Sequence, residues 1–211
     1  MLLGVDEQDH WNRIYDRNDA ARVSWYRPHL ERSLELVELA QLPANASILD
    51  VGGGASTFVD DLLDHGFTRI TVLDISPKAL ETARKRLGPR SEAVTWRVGD
   101  ITRVELPEHG FDFWHDRAVF HFLVDADARR RYVAAARRAL SPGGHIVVAA
   151  FGLSGPERCS GLDVMRFGED ELHGQFGPDF RKLSGFADVH QTPDGVEQEF
   201  VYCYCRLAGG S

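Results

Sequence analysis

The chain is poor in the residues that staple a fold, anchor it in lipid or attract polyanions. Only three cysteines occur in 211 residues, Cys159, Cys203 and Cys205. They make neither an even framework nor a metal-ligand spacing, which argues against a disulfide scaffold and a zinc site and points to a reducing cytoplasm. No apolar run approaches the ~18 residues that would mark a membrane span. No charged, apolar, small-residue leader opens the chain, so secretion is not expected. Positive charge is also scarce: 24 Lys and Arg stand against 32 Asp and Glu, a formal net charge of −8. Sequence-independent nucleic-acid binding depends on cations that neutralise phosphates, so nucleic acid is demoted as a partner. The short runs Arg84-Lys85-Arg86, Arg129-Arg130-Arg131 and Arg137-Arg138 read as solvated helix faces.

With 43% hydrophobic residues, the chain can bury a full core, and its length suits one domain. The stretch Ile48-Leu49-Asp50-Val51-Gly52-Gly53-Gly54-Ala55-Ser56 organises it. A short apolar run meets three consecutive glycines, and an amphipathic segment from Phe58 to His65 follows, apolar at 58, 59, 62 and 63. That pattern predicts strand, tight turn, helix. Glycines here let a ligand approach the backbone, and the helix start offers unpaired N–H groups to it. A dinucleotide site has the form G-x-G-x-x-G, but Thr57 stands where the third glycine belongs. Asp50, two residues before the turn, would sit close to a pyrophosphate. Both departures favour a ligand that carries positive charge and no phosphate, and they set an NAD-dependent oxidoreductase behind.

At these residues the chain resembles the class I S-adenosylmethionine-dependent methyltransferases, whose first motif runs apolar-apolar-Asp-x-Gly-x-Gly-x-Gly. Asp50, Gly52 and Gly54 match it, with Gly53 between, and Ser56 replaces the last glycine. Further along, Ile70 to Asp74 reads as a second buried strand that ends in an acid, with Ile75 next and a helix over Pro77–Leu87. An acid at this strand end accepts hydrogen bonds from ribose hydroxyls in nucleotide-binding α/β folds. The third strand, Val94 to Val98, leads to Asp100 and Ile101. The resemblance implies that these two sit beside the adenine amino group and its ring. After the fourth strand, Phe111 to His115, the resemblance places Asp116 toward the methionine end of the cofactor. His115, Asp116 and Arg117 are the candidate catalytic residues, since such polar groups at a strand end would be costly to bury without partners. His121 reads as a hydrogen-bonded structural histidine.

The remaining segments are read more coarsely. Asp9 to Asn18 predicts a helix carrying Trp11, Ile14 and Tyr15, and Val23 to His29 breaks the pattern. Trp11, Tyr15, Trp25 and Tyr26 are candidates for a lid, with Trp11 and Tyr15 also counted as cofactor-binding. A helix from Leu30 to Ala40, with Leu34, Val37 and Leu39 apolar, leads to the first strand. A helix over Asp127–Leu140, a Ser141-Pro142-Gly143-Gly144 turn and a fifth strand, Ile146 to Ala150, follow. Gly152 to Arg166 reads as a loop with an inert Cys159, then a short helix over Asp170–Phe176. Phe180–His190 and Gln198–Leu207 form a closing hairpin, with Cys203 and Cys205 on one face of its second strand.

The resemblance implies a Rossmann-like α/β fold with a seven-stranded, mostly parallel sheet, helices on both faces and a C-terminal antiparallel hairpin. It divides the chain into residues 1–45 (lid), 46–151 (cofactor core) and 152–211 (substrate loop and hairpin). It implies S-adenosyl-L-methionine as cofactor, no metal, and methyl transfer to a small-molecule thiol, amine or similar acceptor. The Trp-x-x-x-Tyr and Ser-Trp-Tyr of the N-terminal segment are similar both to thiopurine methyltransferase and to protein-lysine methyltransferases that act on elongation factor or citrate synthase. A protein acceptor is therefore the alternative, and a non-catalytic cofactor-binding module the alternative of another class.

Overall fold

The computed structural model describes residues 3–17 and 22–209. Its sheet strands are β1 (Ser47–Val51), β2 (Arg69–Asp74), β3 (Val94–Val98), β4 (Phe111–Arg117), β5 (Leu140–Phe151), β8 (Phe180–Gln191) and β9 (Glu197–Leu207). They form one sheet in the order β3-β2-β1-β4-β5-β9-β8. β1 to β5 are parallel neighbours, whereas β9 runs antiparallel to β5 and β8 antiparallel to β9. The carboxyl ends of β1, β2, β3 and β4 therefore converge on one edge, where open α/β sheets hold ligands.

Every residue of β1 is buried, because both faces of the sheet are covered. Side chains alternate across the strands. Ile48, Val72 and Phe113 pack with α2 (Glu31–Leu39), α3 (Phe58–Asp64) and α4 (Pro77–Leu87). Leu49, Val51, Trp114 and Val148 pack on the other face with α5 (Ala126–Ala139) and α6 (Glu169–Gly174). Ser76 caps α4 by accepting from Ala79 N at 3.2 Å, with Pro77 in the first turn, and Asp125 caps α5 by accepting from Ala128 N at 3.0 Å.

Four details differ from the reading of the sequence. The first helix, α1 (Leu3–Arg17), starts earlier than Asp9, and its expected end at Asn18 lies outside the described residues. α2 buries Ser33, Leu36 and Val37, with Leu30 just before it, and leaves Leu39 66% exposed. Its buried side thus holds Val37, with Leu34 packed against it, and leaves out Leu39. The Ser141–Gly144 segment lies within β5, where a register shift opposite Phe111 and Phe113 absorbs it. The loop after β5 contains a small hairpin of β6 (Arg158–Cys159) and β7 (Leu162–Asp163). Among the described residues, no helix is long and apolar enough to cross a membrane.

Candidate active site

The turn after β1 is shaped by contacts that only glycine permits. Gly52 has φ +67°, its N–H donates to Leu73 O at 2.7 Å, and a Cβ there would overlap Val119 Cγ2. A Cβ on Gly53 would strike the Asp50 carboxylate, and one on Gly54 would stand 2.5 Å from Asp74 Oδ2. Ser56, in place of a further glycine, accepts from Phe58 N at 3.2 Å, and Arg86 ties the turn to α4 by donating to Ala55 O at 2.7 Å.

Beside this turn lies a cavity of about 330 Å³. Gly52, Asp74, Ile75, Asp100, Ile101 and Arg117 line its sheet side. Trp11 and Tyr15 from α1 and Trp25 from the following loop cover it, and Cys159, Leu162 and Asp163 of the β6–β7 hairpin close another side. α1 is held there by the Gln8 amide, which donates to Ile75 O at 2.8 Å, and by the Ser76 hydroxyl, which donates to Asn12 Oδ1 at 2.7 Å. The lid aromatics meet edge to face: Trp11 lies 5.9 Å from Trp25 and 5.1 Å from Phe122. A smaller cavity of about 30 Å³ adjoins the turn, lined by Asp50, Gly52, Gly53, His115, Arg117 and Tyr26 among others. Gly54 lines neither cavity; it serves the turn itself.

The acids differ in what they have left to offer a ligand. Asp74 Oδ1 accepts from Ser76 N at 2.7 Å, so the helix cap is Ser76 and not Asp74. Burial pushes the Asp74 carboxyl up to about 7, against the pull of that N–H. Asp100 Oδ1 accepts from both the N–H and the hydroxyl of Thr102 at 2.8 Å, which fixes the carboxylate at the cavity wall. Asp50 Oδ1 lies 2.7 Å from His115 Nδ1, and His115 Nε2 lies 2.8 Å from Ser33 Oγ. All three residues are buried, and the Phe58 ring lies tilted against the imidazole with centroids 4.0 Å apart. With the proton on Nδ1, the imidazole donates to Asp50 and accepts from Ser33. Asp50 Oδ2 is buried without a partner.

Asp116 does not face the cleft. Strand alternation turns it with Trp114 toward α5, opposite to His115 and Arg117. Its Oδ1 accepts from Val119 N at 3.0 Å and Phe120 N at 3.4 Å, and its Oδ2 accepts from the Tyr132 hydroxyl at 2.7 Å. Tyr132 in turn accepts from Trp114 Nε1 at 2.8 Å. Burial pushes Asp116 up to about 7. These bonds hold the turn that presents Val119 to Gly52. His115 likewise touches only the smaller cavity, whereas Arg117 reaches both.

Cys159 lines the large cavity, and burial pushes its thiol up, away from the thiolate a nucleophile requires. Cys203 and Cys205 share one buried face with sulfurs 3.3 Å apart. Among the described residues, no group of three or more His, Cys, Asp or Glu side chains is placed to hold a metal. Sequence reasoning missed Ser33; Val119 and Phe122 of the segment after β4, and Leu162 and Asp163 of the 152–166 loop, fall in stretches it assigned to ligand contact without being singled out. Ser33 is the one buried polar residue between Leu30 and Leu36, which are buried with it.

Comparison with known proteins gives concordant matches. The family described as "Methyltransferase domain" matches residues 49–148. Nodulation protein S of Rhizobium tropici is 34% identical over 150 residues, covering 68% of this chain and 61% of that protein. EEF1A lysine methyltransferase 2 of Mus musculus is 23% identical over 157 residues, covering 68% of this chain and 64% of that protein. This chain thus spans less than two thirds of the length of either relative. The structure of N-methyltransferase NodS from Bradyrhizobium japonicum WM9 in complex with S-adenosyl-l-homocysteine shares the fold, with a TM-score of 0.70, 21% identity and coverage of 94% of this chain and 99% of that one.

Proposed function

The chain belongs to the class I S-adenosylmethionine-dependent methyltransferases, and from that membership we propose that it transfers a methyl group from S-adenosylmethionine to a small-molecule acceptor. The bound cofactor supplies an electrophilic methyl carbon on a positively charged sulfur. The protein's part is to align acceptor and methyl, exclude water and accept a proton where the nucleophile carries one.

The residues present fit that cofactor. The glycine turn forms a cradle that side chains would fill, and the unpartnered Asp50 Oδ2 beside it suits an ammonium group. Asp74 is the proposed acceptor for the ribose hydroxyls, with Ile75 beside it. Asp100 and Ile101 are the proposed adenine contacts, one by hydrogen bonding and the other by packing. His115 and Asp116 become positioning residues in this reading. His115 orients Asp50, Asp116 folds the turn under Val119, and Arg117 is the polar group left at the reacting end. Trp11, Tyr15 and Trp25 are the water-excluding cover.

The observation that carries a small acceptor is the enclosure of the large cavity by α1, the Trp25 loop and the β6–β7 hairpin. A walled cavity of this size suits a small molecule better than a folded protein surface. A protein-lysine acceptor is the second reading, supported by the similarity to EEF1A lysine methyltransferase 2. The test is release of S-adenosylhomocysteine with small thiols, amines and acids in one set and elongation factor in another. The proposal expects turnover in the first set. Turnover confined to the protein substrate would favour the second reading, and cofactor binding without turnover in either set would favour a non-catalytic module.

A further inference from the structure

We propose that Arg117, backed by His121, forms an anion subsite at the acceptor end of the large cavity, so that the methyl acceptor is a small molecule bearing a carboxylate. The inference rests on the methyltransferase reading and narrows its substrate class.

Arg117 is the one basic residue among those lining the large cavity, where Glu7, Asp74, Asp100 and Asp163 contribute carboxylates. None of these acids neutralises it. Asp74 is taken up by Ser76 N, Asp100 by Thr102 with Arg103 Nε at 3.3 Å, and Asp163 by Arg158 Nε at 3.0 Å. Arg117 forms no ion pair with a described residue. Its Nη1 donates to Trp25 O at 2.9 Å, its guanidinium stands 4.5 Å over the Phe200 ring, and its Nε is buried without a partner. A buried guanidinium N–H left unused is costly unless an acceptor meets it. The next residue fixes its direction: Ala118 holds φ +73°, a conformation side-chain-bearing residues seldom adopt, and its N–H is anchored on Ala149 O at 2.9 Å.

A second unused donor belongs to His121, which lines neither cavity but stands directly behind Phe151, a wall residue of the large one. His121 is fully buried, and its Nδ1 accepts from Phe151 N at 3.3 Å. A backbone N–H can only donate, so the imidazole proton sits on Nε2, and that atom is buried with no partner. Burial, followed by the charge of Arg117, pushes the group down to about 3, which keeps the ring neutral and this tautomer in place. His121 stacks on Phe151 at 4.2 Å, and Phe151 both lines the cavity and lies 4.9 Å from Phe200. Two N–H donors thus flank one aromatic pair and lack an acceptor. A carboxylate has two oxygens and a delocalised charge, which match a planar guanidinium and a neighbouring N–H. An acceptor whose nucleophilic atom lies next to its carboxyl group would be held by that end while the nucleophile faces the methyl.

The probes are benzoate and its uncharged partner benzamide, titrated calorimetrically into protein saturated with S-adenosylhomocysteine. Three proteins are compared: wild type, Arg117→Met, which keeps an apolar stem over Phe200, and His121→Phe, which keeps the stack on Phe151 and removes the donor. The expected result is benzoate binding at least about tenfold tighter than benzamide in wild type, a preference abolished in Arg117→Met and reduced in His121→Phe. Affinity for S-adenosylhomocysteine stays within about threefold of wild type in both variants. Equal binding of the two probes, or of neither, would overturn the proposal. A tenfold or larger loss of S-adenosylhomocysteine affinity in Arg117→Met would also overturn it, by giving the guanidinium to the cofactor's own carboxylate. Failure of wild type to take up S-adenosylhomocysteine is a separate result that would remove the methyltransferase reading first.

Discussion

Asp50 Oδ1 and His115 Nδ1 meet at 2.7 Å in the buried layer between the sheet and α2, with Ser33 Oγ 2.8 Å from the other imidazole nitrogen. The pair fixes which oxygen of Asp50 is spent inside the protein and which is left toward the glycine turn. A Ser-His-Asp chain of this kind elsewhere activates a nucleophile, but Ser33 is fully buried, so here it can only orient. His115→Ala should leave Asp50 and Ser33 unpaired and lower stability by about 1–3 kcal/mol, measured by urea unfolding. The same variant should weaken S-adenosylhomocysteine binding, and Ser33→Ala should do so much less. An unchanged affinity in His115→Ala would show that Asp50 needs no orienting partner.

Gly52 and Val119 pose a steric prediction. Gly52→Ala adds a methyl group that overlaps Val119 Cγ2 at a residue with φ +67°. Overpacking and backbone strain together should cost about 2–4 kcal/mol, visible as a lowered Tm. Gly52→Ala combined with Val119→Ala should recover part of that loss, because the clash goes and the strain stays. Full recovery would show that the backbone angle is not constrained.

Asp74 gives a pH dependence with two signs. Its carboxyl is pushed up from 3.8 to about 7, so between those values the folded chain holds a proton that the unfolded chain has lost. Its contribution to stability therefore falls as pH rises through that window, and Asp116 acts in the same direction. Cofactor binding should run the other way, since the ionised carboxylate is the better acceptor for ribose hydroxyls. Affinity for S-adenosylhomocysteine should be about tenfold weaker at pH 6 than at pH 8, with proton release on binding near pH 6. Titration in buffers of different ionisation enthalpy reads that proton directly, and a flat profile would contradict it.

Asp116 separates folding from chemistry. Asp116→Asn keeps one carbonyl acceptor for Val119 and Phe120 N–H but alters the bond from the Tyr132 hydroxyl. A stability loss of about 1–3 kcal/mol is expected, with residual cofactor binding once folded. Complete loss of turnover at full stability would restore Asp116 to the reacting centre.

The parts legible in the sequence are those encoded over a few consecutive residues. The glycine turn, the acid at the end of β2 and the strand-helix alternation are of this kind, and so was the aromatic cover of Trp11, Tyr15 and Trp25. The misplaced part is a matter of parity. His115, Asp116 and Arg117 are adjacent in sequence, but alternate residues of β4 face opposite sides of the sheet, and only the packed neighbours decide which side borders the cleft. Ser33, Phe200 and Val119 meet their partners from distant segments, so no local pattern announces them. The Ser141-Pro142-Gly143-Gly144 segment shows the same limit. Its turn chemistry was evident, but its absorption into β5 depends on pairing with β4.

The most direct measurement is calorimetric titration of S-adenosylhomocysteine into wild type and Asp74→Asn, with a thermal transition recorded for each. The Asn variant keeps an oxygen for Ser76 N–H, so its fold should survive. One site per chain in wild type, and a loss of about a hundredfold or more in the variant at an intact transition, is the result expected if Asp74 holds the ribose. An intact transition with no binding in wild type, or equal binding in both proteins, would contradict the assignment of this cavity to the cofactor.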